Sequence, residues 1–298
     1  MERLQEALRC AGVRTETKYP LSEHSSFRIG GAAKLAILPA TREELLISLR
    51  SLTAWSVPYL VVGNASNVVF DDRGFDGAVL FTGACRQMTL DGNLLHVSAG
   101  ATLASAARFA CEHALSGMEF AHGIPGTVGG AVFMNAGAYG GCMADICLSS
   151  EYFDAESGEV GVFEGEAQAF DTRTSVYEKH PRYTVLGATL SLAPDDRSAI
   201  EGRMRDFAER RRRSQPLEFP SAGSVFKRPV GHFAGKLIED CRLKGTAVGG
   251  AEVSEKHAGF IINRGGATSE DVKKLVALIK ERVLSETGVE LECEIRFL

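Results

Sequence analysis

Two glycine-rich stretches of this sequence have the composition of a ligand cradle. The more telling is Gly123-Ile-Pro-Gly-Thr-Val-Gly-Gly-Ala-Val-Phe-Met-Asn-Ala-Gly-Ala-Tyr-Gly-Gly141, with seven glycines, no charged side chain and no helical period. Glycine lets backbone approach a ligand closely and adopt positive φ, so successive N–H groups can converge on anionic oxygens. A flexible linker is rich in Gly and Ser. Here Ile124, Val128, Val132, Phe133 and Met134, which favour burial, are interleaved instead. Packed, uncharged, glycine-rich backbone is what holding a diphosphate without a lysine requires, and it points to a dinucleotide cofactor. The plainer reading is a tight turn feeding a buried helix of small residues. Gly63-Asn-Ala-Ser-Asn67 is the second stretch. Alone it is only a turn, because Asn and Gly are common turn residues. Together the two stretches supply two backbone cradles for one ligand.

Three further stretches carry side-chain chemistry. Arg210-Arg-Arg-Arg-Ser-Gln-Pro-Leu-Glu-Phe-Pro-Ser-Ala-Gly-Ser-Val-Phe-Lys-Arg-Pro229 begins with arginines that end a helical pattern, where cations suit the macrodipole. Beyond them Ser224 follows Gly223 on a proline-bounded loop beside Lys227 and Arg228. With no His or Asp motif next to it, Ser224 suits a proton donor better than a nucleophile. In Leu291-Glu-Cys-Glu-Ile-Arg-Phe297, period two puts Leu291, Cys293, Ile295 and Phe297 on one face. Glu292, Glu294 and Arg296 share the other face, which either meets solvent or turns a carboxyl into a cleft. Residues 236–263 read mostly as core and turns, and His257 as a structural histidine rather than a catalyst.

At 298 residues the chain exceeds the usual span of one hydrophobic core, so two or three subdomains are expected. A net charge of −5 speaks against a general nucleic-acid or membrane-surface role. No apolar run is long enough for a membrane span, and residues 1–9 read as an amphipathic helix rather than a signal peptide. The seven cysteines and seven histidines are scattered without CxxC or zinc spacing. That pattern fits reduced thiols in a cytoplasm, and no metal is expected.

The elements that must position these residues follow from capping and periodicity. A helix is expected over 41–53, with Thr41 as N-cap and Glu44 three residues on, and another over 102–115, capped by Thr102 and stopped at Gly117. Strands are expected at 58–62, 68–70, 78–81 and 94–97, with 63–67 as the turn between the first two. After the glycine segment come strands at 151–154, 160–163 and 184–192. Polar Ala193-Pro-Asp-Asp-Arg-Ser198 marks a domain boundary. Helices over 199–213, 233–240 and 269–286 and strands at 258–262 and 289–297 complete the chain. The irregular alternation lacks a βαβ rhythm, and no GxGxxG with a downstream ribose acid occurs, so a Rossmann domain is not expected.

Taken together, the chain resembles the UDP-N-acetylenolpyruvoylglucosamine reductases, flavoenzymes of bacterial peptidoglycan precursor synthesis. The resemblance runs from about Ser25 to the C-terminus. It rests on Phe27-Arg-Ile-Gly-Gly31, Gly63–Asn67, Gly123–Gly141, Pro220–Pro229, Val253-Ser-Glu-Lys-His-Ala-Gly-Phe260 and Glu292-Cys-Glu-Ile-Arg-Phe297, all in order. It implies an α+β protein whose FAD-binding portion has two α+β subdomains of the vanillyl-alcohol-oxidase type. Residues 1–80 and 81–195 would form those subdomains, and 196–298 a C-terminal α+β substrate domain of the compact subgroup that lacks an inserted tyrosine-bearing element. The implied reaction uses NADPH to reduce non-covalent FAD and passes hydride from flavin N5 to the vinyl carbon of an enolpyruvyl ether. Negative charge then develops beside the carboxylate, so an acid must protonate that carbon and donors must hold the enolate.

By the same resemblance Ser224 is the proton donor, and Arg173 and Glu294 hold the developing dianion. Glu294 helps only if protonated, so a raised pKa is expected for it. Gly63, Asn64, Ala65, Ser66, Asn67, Gly123, Ile124, Pro125 and Gly126 would serve FAD, with Arg28, Gly129, Asn135 and Ala136. Arg213, Gln215 and Lys227 would meet the diphosphate of a nucleotide-sugar substrate. No nucleic-acid partner and no membrane insertion are implied, and a cytoplasmic monomer or weak homo-oligomer is expected. Three departures stand out: Thr172 where a tyrosine commonly precedes the arginine, Cys293 where proline is usual, and His24-Ser25 where Asn-Thr is usual. None removes a reacting group. The alternatives are another oxidoreductase on the same flavin scaffold, such as an oxidase, or a non-catalytic flavin-binding module.

Overall fold

Thr41, Thr102, Thr127 and Thr268 each begin a helix in the same way. Each hydroxyl accepts the backbone N–H three residues on, from Glu44, Ser105, Gly130 and Asp271 respectively. Such caps satisfy one of the donors a helix start leaves unpaired and are worth about 1 kcal/mol each. The helices they start are Arg42–Ala54, Leu103–Glu112, Val128–Phe133 and Ser269–Thr287. The last ends at Gly288, in the left-handed conformation that glycine adopts without strain.

The computed structural model describes Met1–Leu298, and its internal contacts resolve two units. The first comprises Met1–Thr17, Leu35–Asn64 and Gly77–Arg210, the second Lys18–Lys34, Ala65–Asp76 and Arg211–Leu298.

The first unit has two buried clusters. One gathers Leu4, Leu8, Leu35, Ile37, Leu45, Leu49 and Leu80, under helices Glu2–Cys10 and Arg42–Ala54. Here the strand Tyr59–Val62 runs parallel to Phe75–Phe81, in register from Tyr59–Ala78 to Val62–Phe81. The other cluster lies beneath an antiparallel five-stranded sheet ordered Val160–Glu164, Cys147–Asp154, Tyr183–Ser191, Leu94–Ser98, Met88–Asp91. The alanine-rich helix Leu103–Glu112 and the helix Val128–Phe133 bury their small residues in it.

The second unit is an antiparallel sheet ordered Ser221–Ser224, Phe260–Asn263, Ala251–Val253, Ala247–Val248, with helices Ala234–Asp240 and Ser269–Thr287. Its core joins Leu237, Ile261, Val272, Leu275 and Leu291 to Phe27, Ile29 and Val69 from far earlier in the chain.

Three expectations change. The helix expected to 115 ends at Glu112, because Ala114 turns left-handed and Leu115–Ser116 pairs with Ala193–Pro194. Residues 289–297 are not one long strand. Only Arg296–Phe297 joins a ladder, parallel to Val68–Val69, with one further bridge from Cys293 to Phe226. The apolar face still holds, since Leu291 and Ile295 are buried with Cys293 and Phe297 against the same core. Finally, the glycine segment does contain a helix. Gly129 takes the place no larger residue fits, since a Cβ there would lie 2.7 Å from Ala99 Cβ.

Candidate active site

In the first unit the two glycine-rich loops meet. Gly63 ends the strand Tyr59–Val62, and a Cβ on it would lie 2.1 Å from Thr127 Oγ1. Asn64 Nδ2 donates to the Pro125 carbonyl at 3.2 Å. Residues 126–129 are laid along 99–103 by three backbone bonds. Leu103 N–H donates to Gly126 O at 3.1 Å, Val128 N–H to Ala101 O at 2.8 Å and Gly129 N–H to Ala99 O at 2.8 Å.

Backbone accounting shows which amides remain for a ligand. Those of Ile124, Gly129 and Ala136 donate to Ala121, Ala99 and Ala131, so these three residues shape the loops. The amides of Asn64, Gly123 and Gly126 are engaged by no acceptor of the chain. They are the groups that suit anionic oxygen.

The arginine of interest sits on a tight turn in the same unit. Asp171 and Thr174 exchange backbone bonds, and Arg173 between them is left-handed with φ +57°. Three bonds tie this turn to the end of the glycine segment. Asn135 Nδ2 donates to Asp171 O at 3.0 Å, Arg173 Nη2 to Gly137 O at 3.1 Å and Ser175 Oγ to Phe133 O at 2.7 Å. Asn135 Oδ1 also accepts the Ala144 N–H at 2.9 Å. Its side chain therefore braces the Arg173 turn, a task the sequence did not reveal.

In the second unit Ser224 and Glu294 lie on adjacent backbone. Val225 N–H donates to Gly259 O at 2.9 Å, Glu294 N–H to Val225 O at 2.7 Å and Lys227 N–H to Glu292 O at 2.9 Å. The half-buried Ser224 hydroxyl makes a single, long hydrogen bond, 3.4 Å to Phe226 O, so it is little committed to its own fold. Asn67 locks the Glu294 segment in place. Its Nδ2 donates to Glu294 O at 3.2 Å, and its carbonyl accepts the Arg296 N–H at 3.0 Å. Ala65 O accepts the Ser26 N–H at 3.2 Å, while Ser66 is half-buried beside it. Lys227 Nζ pairs with Glu292 at 2.5 Å. Arg213 and Arg28 are exposed. Gln215 carries a buried Oε1 with no partner, an orphan that a substrate donor would satisfy.

Four of the ten non-glycine residues with positive φ are Arg28, Ala65, Asn135 and Arg173. Each such position costs of order 1–3 kcal/mol and persists where surrounding structure imposes it, often at functional sites. Residue types alone do not announce this strain.

Sequence reading also missed His122, one residue before Gly123. Its Nδ1 is buried without a partner, and burial together with the Arg108 cation lowers its pKa. Thr127, 1% exposed and pressed against Gly63, was missed as well. Its N-cap position just after Pro125-Gly126 was the available signal.

Comparison with known proteins gives this geometry its context. Residues 215–298 match the family described as UDP-N-acetylenolpyruvoylglucosamine reductase, C-terminal domain, and residues 33–163 match an FAD binding domain. A protein of that reductase name from Caldicellulosiruptor bescii is 44% identical over 98% of this chain and 93% of its own length. The chain belongs to the UDP-N-acetylenolpyruvoylglucosamine reductase family. A crystal structure of the Thermus caldophilus reductase superposes with TM-score 0.80 at 35% identity, covering 96% of this chain and 98% of that one. The BBE-like 1 protein of Physcomitrella patens matches at TM-score 0.50 and 15% identity, over 64% of this chain and 44% of that one, which bears on fold alone.

As a member of the reductase family the protein is an FAD-dependent oxidoreductase, with an α+β flavin-binding portion and the family's C-terminal domain. The residues present fit FAD: unengaged amides at 64, 123 and 126 surround a junction too close-packed for any side chain at Gly63.

Proposed function

We propose that the protein reduces UDP-N-acetylglucosamine enolpyruvate to UDP-N-acetylmuramate with NADPH, supplying peptidoglycan precursor synthesis in the cytoplasm. The observation that carries this reading is the loosely held Ser224 hydroxyl on backbone bonded directly to the Glu294 segment. Bound FAD would supply the hydride chemistry, taking up reducing equivalents that originate in NADPH and making them available to the vinyl carbon of the enolpyruvyl ether. Ser224 Oγ then donates its proton to the carbon beside the carboxylate, while Arg173 binds that carboxylate with its planar fork. Glu294, protonated, donates to the second carboxylate oxygen and relieves the developing charge. Gly63–Asn67, Gly123, Pro125 and Gly126 hold the FAD diphosphate, with Arg28 near it and with Ile124, Gly129, Asn135 and Ala136 shaping the loops. Arg213, Gln215 and Lys227 hold the substrate diphosphate, the two cations by charge and Gln215 through its amide N–H groups. We assign FAD binding to residues 1–195 and substrate binding to 196–298, in a monomer or weak homo-oligomer.

The test follows flavin colour anaerobically. NADPH should bleach wild type and Ser224→Ala alike. On adding the enolpyruvyl nucleotide, yellow colour should return at least about 100-fold more slowly in Ser224→Ala, the usual weight of a positioned general acid. Equal recovery in both would remove Ser224 from the mechanism, and no recovery in wild type would remove the substrate.

A further inference from the structure

We propose that His257 is a positioning residue for Ser224, its ring accepting the Gly259 N–H and so holding the backbone from which the Ser224 hydroxyl is presented. The inference rests on the reading of Ser224 as proton donor and adds the device that aims it.

The strand Ser221–Ser224 does not set its own register. Ser221 pairs with Ile262 and Ser224 with Phe260, with a bulge between them, and Gly223 within the bulge has φ +81°. A bulge leaves a residue out of the ladder and re-aims the side chains that follow. Beyond it the chain is pinned by the Val225 N–H on Gly259 O, at 2.9 Å. Gly259 is in turn held through its preceding peptide, because its N–H donates to His257 Nδ1 at 3.1 Å. A short path therefore leads from the imidazole, through the two peptides that meet at Gly259, to the residue after Ser224.

The ring is itself held firmly. A Cβ at Gly235 would lie 3.2 Å from His257 Cε1, and one at Gly259 3.0 Å from it, so both glycines pack tightly on the ring. Phe260 meets the ring edge-on at 5.0 Å. Ser254, 1% exposed, accepts the N–H groups of Lys256 and His257 at 3.2 and 3.3 Å and shapes the turn beneath.

An Nδ1 that accepts requires the neutral tautomer with its proton on Nε2. Burial favours that form, lowering the His257 pKa below 6.5. Lys244 pushes it down and Glu239, on the helix Ala234–Asp240, pushes it up, and these two pair with each other at 2.6 Å. Once protonated, Nδ1 would point an N–H at the Gly259 N–H and release the peptide.

The experiment uses the FAD-loaded enzyme in stopped flow, with wild type, Ser224→Ala, His257→Asn and His257→Gln. Asn places a carbonyl oxygen where Nδ1 stands, whereas Gln carries its oxygen one carbon too far. Displacing a reacting group by about an ångström costs up to about 100-fold, so His257→Gln should slow substrate-driven reoxidation by about 10-fold or more. His257→Asn should stay within about threefold of wild type, and bleaching by NADPH should change by less than about twofold in both. In wild type the reoxidation rate should fall as pH drops through the lowered His257 pKa, and His257→Asn should lack that acid limb. Equal rates for the Asn and Gln variants, or an acid limb that survives in His257→Asn, would overturn the proposal. Should His257→Gln fail to fold, the acid limb decides alone. A Ser224→Ala enzyme that reoxidises normally would instead sink the proton-donor reading beneath it, whatever the histidine variants do.

Discussion

A single methyl group at Gly63 would push apart the two glycine-rich loops that we propose hold FAD, because the space it needs is already held by Thr127 Oγ1 at 2.1 Å. We expect Gly63→Ala to weaken FAD binding by about 10-fold or more, equivalent to about 1.4 kcal/mol. Equilibrium dialysis or fluorescence titration of the apoprotein measures it. Adding Thr127→Ala should recover part of the loss, since the nearest clashing atoms are then gone, and no recovery would place the clash elsewhere. At this scale the sequence was informative about which residues matter and less so about how. The sequence nominates Asn135 for FAD without showing that its amide also braces Asp171 and Ala144. Ile124, Gly129 and Ala136 have their amides occupied. Hydrogen-bond partners far along the chain are not written in local residue types.

Between residue and whole lies the helix Arg197–Ser214, which ends in the arginine run. Its Arg203 grips Glu119 through Nε at 3.0 Å and Nη2 at 2.7 Å, and Asp195 through Nη2 at 2.5 Å. Glu119 is buried, also accepts the Gly117 N–H at 2.7 Å, and sits in the turn that leads to Gly123. Tyr139 stacks on Phe207 of the same helix at 4.6 Å. Removing the Glu119 carboxylate strands a backbone donor and charge-assisted bonds, each worth about 1.5–3 kcal/mol, though Arg203 can turn to water. Glu119→Ala should therefore destabilise the protein by about 2 kcal/mol, read as a lower Tm in calorimetry. An unchanged Tm would show the bridge to be ornamental. Helix starts were legible because a threonine cap and a following periodic run are local signals. The short helix Val128–Phe133 stood only as the plainer alternative reading of its segment, because glycine and alanine write no amphipathic pattern.

For the molecule as a whole, the second unit is assembled from three separated pieces of chain. Phe27, Ile29 and Val69 complete its core, Asn263 Nδ2 donates to Phe27 O at 3.0 Å, and Arg296–Phe297 pairs with Val68–Val69. Residues 211–298 expressed alone should lack a cooperative thermal transition, and a sharp calorimetric peak for that piece would contradict this architecture. Charge acts at the same scale. In a protein of net charge −5, Arg211–Arg213, Lys227 and Arg228 of the second unit are the cations we propose for a dianionic nucleotide. Raising KCl shortens the screening length from about 10 Å at 0.1 M to a few ångströms, so KM for the enolpyruvyl nucleotide should rise several-fold. A KM indifferent to salt would mean those cations do not meet the substrate.

Composition and short-range spacing set the residue inventory and the local grammar. Glycine density, threonine caps, the alternating face at Leu291–Phe297 and six ordered motifs identify a flavoenzyme and nominate its candidate reacting side chains. These are properties of composition and short spacing, which act within a few residues. Only the tertiary structure decided what those residues touch. It laid Val225 between Gly259 and Glu294, closed Gly63 on Thr127 and enlisted Phe27 and Val69 in a core built around the last third of the chain. The reason is physical. A backbone amide or an apolar face is satisfied by any partner of the right kind, and which distant segment supplies it is settled by packing the whole chain at once.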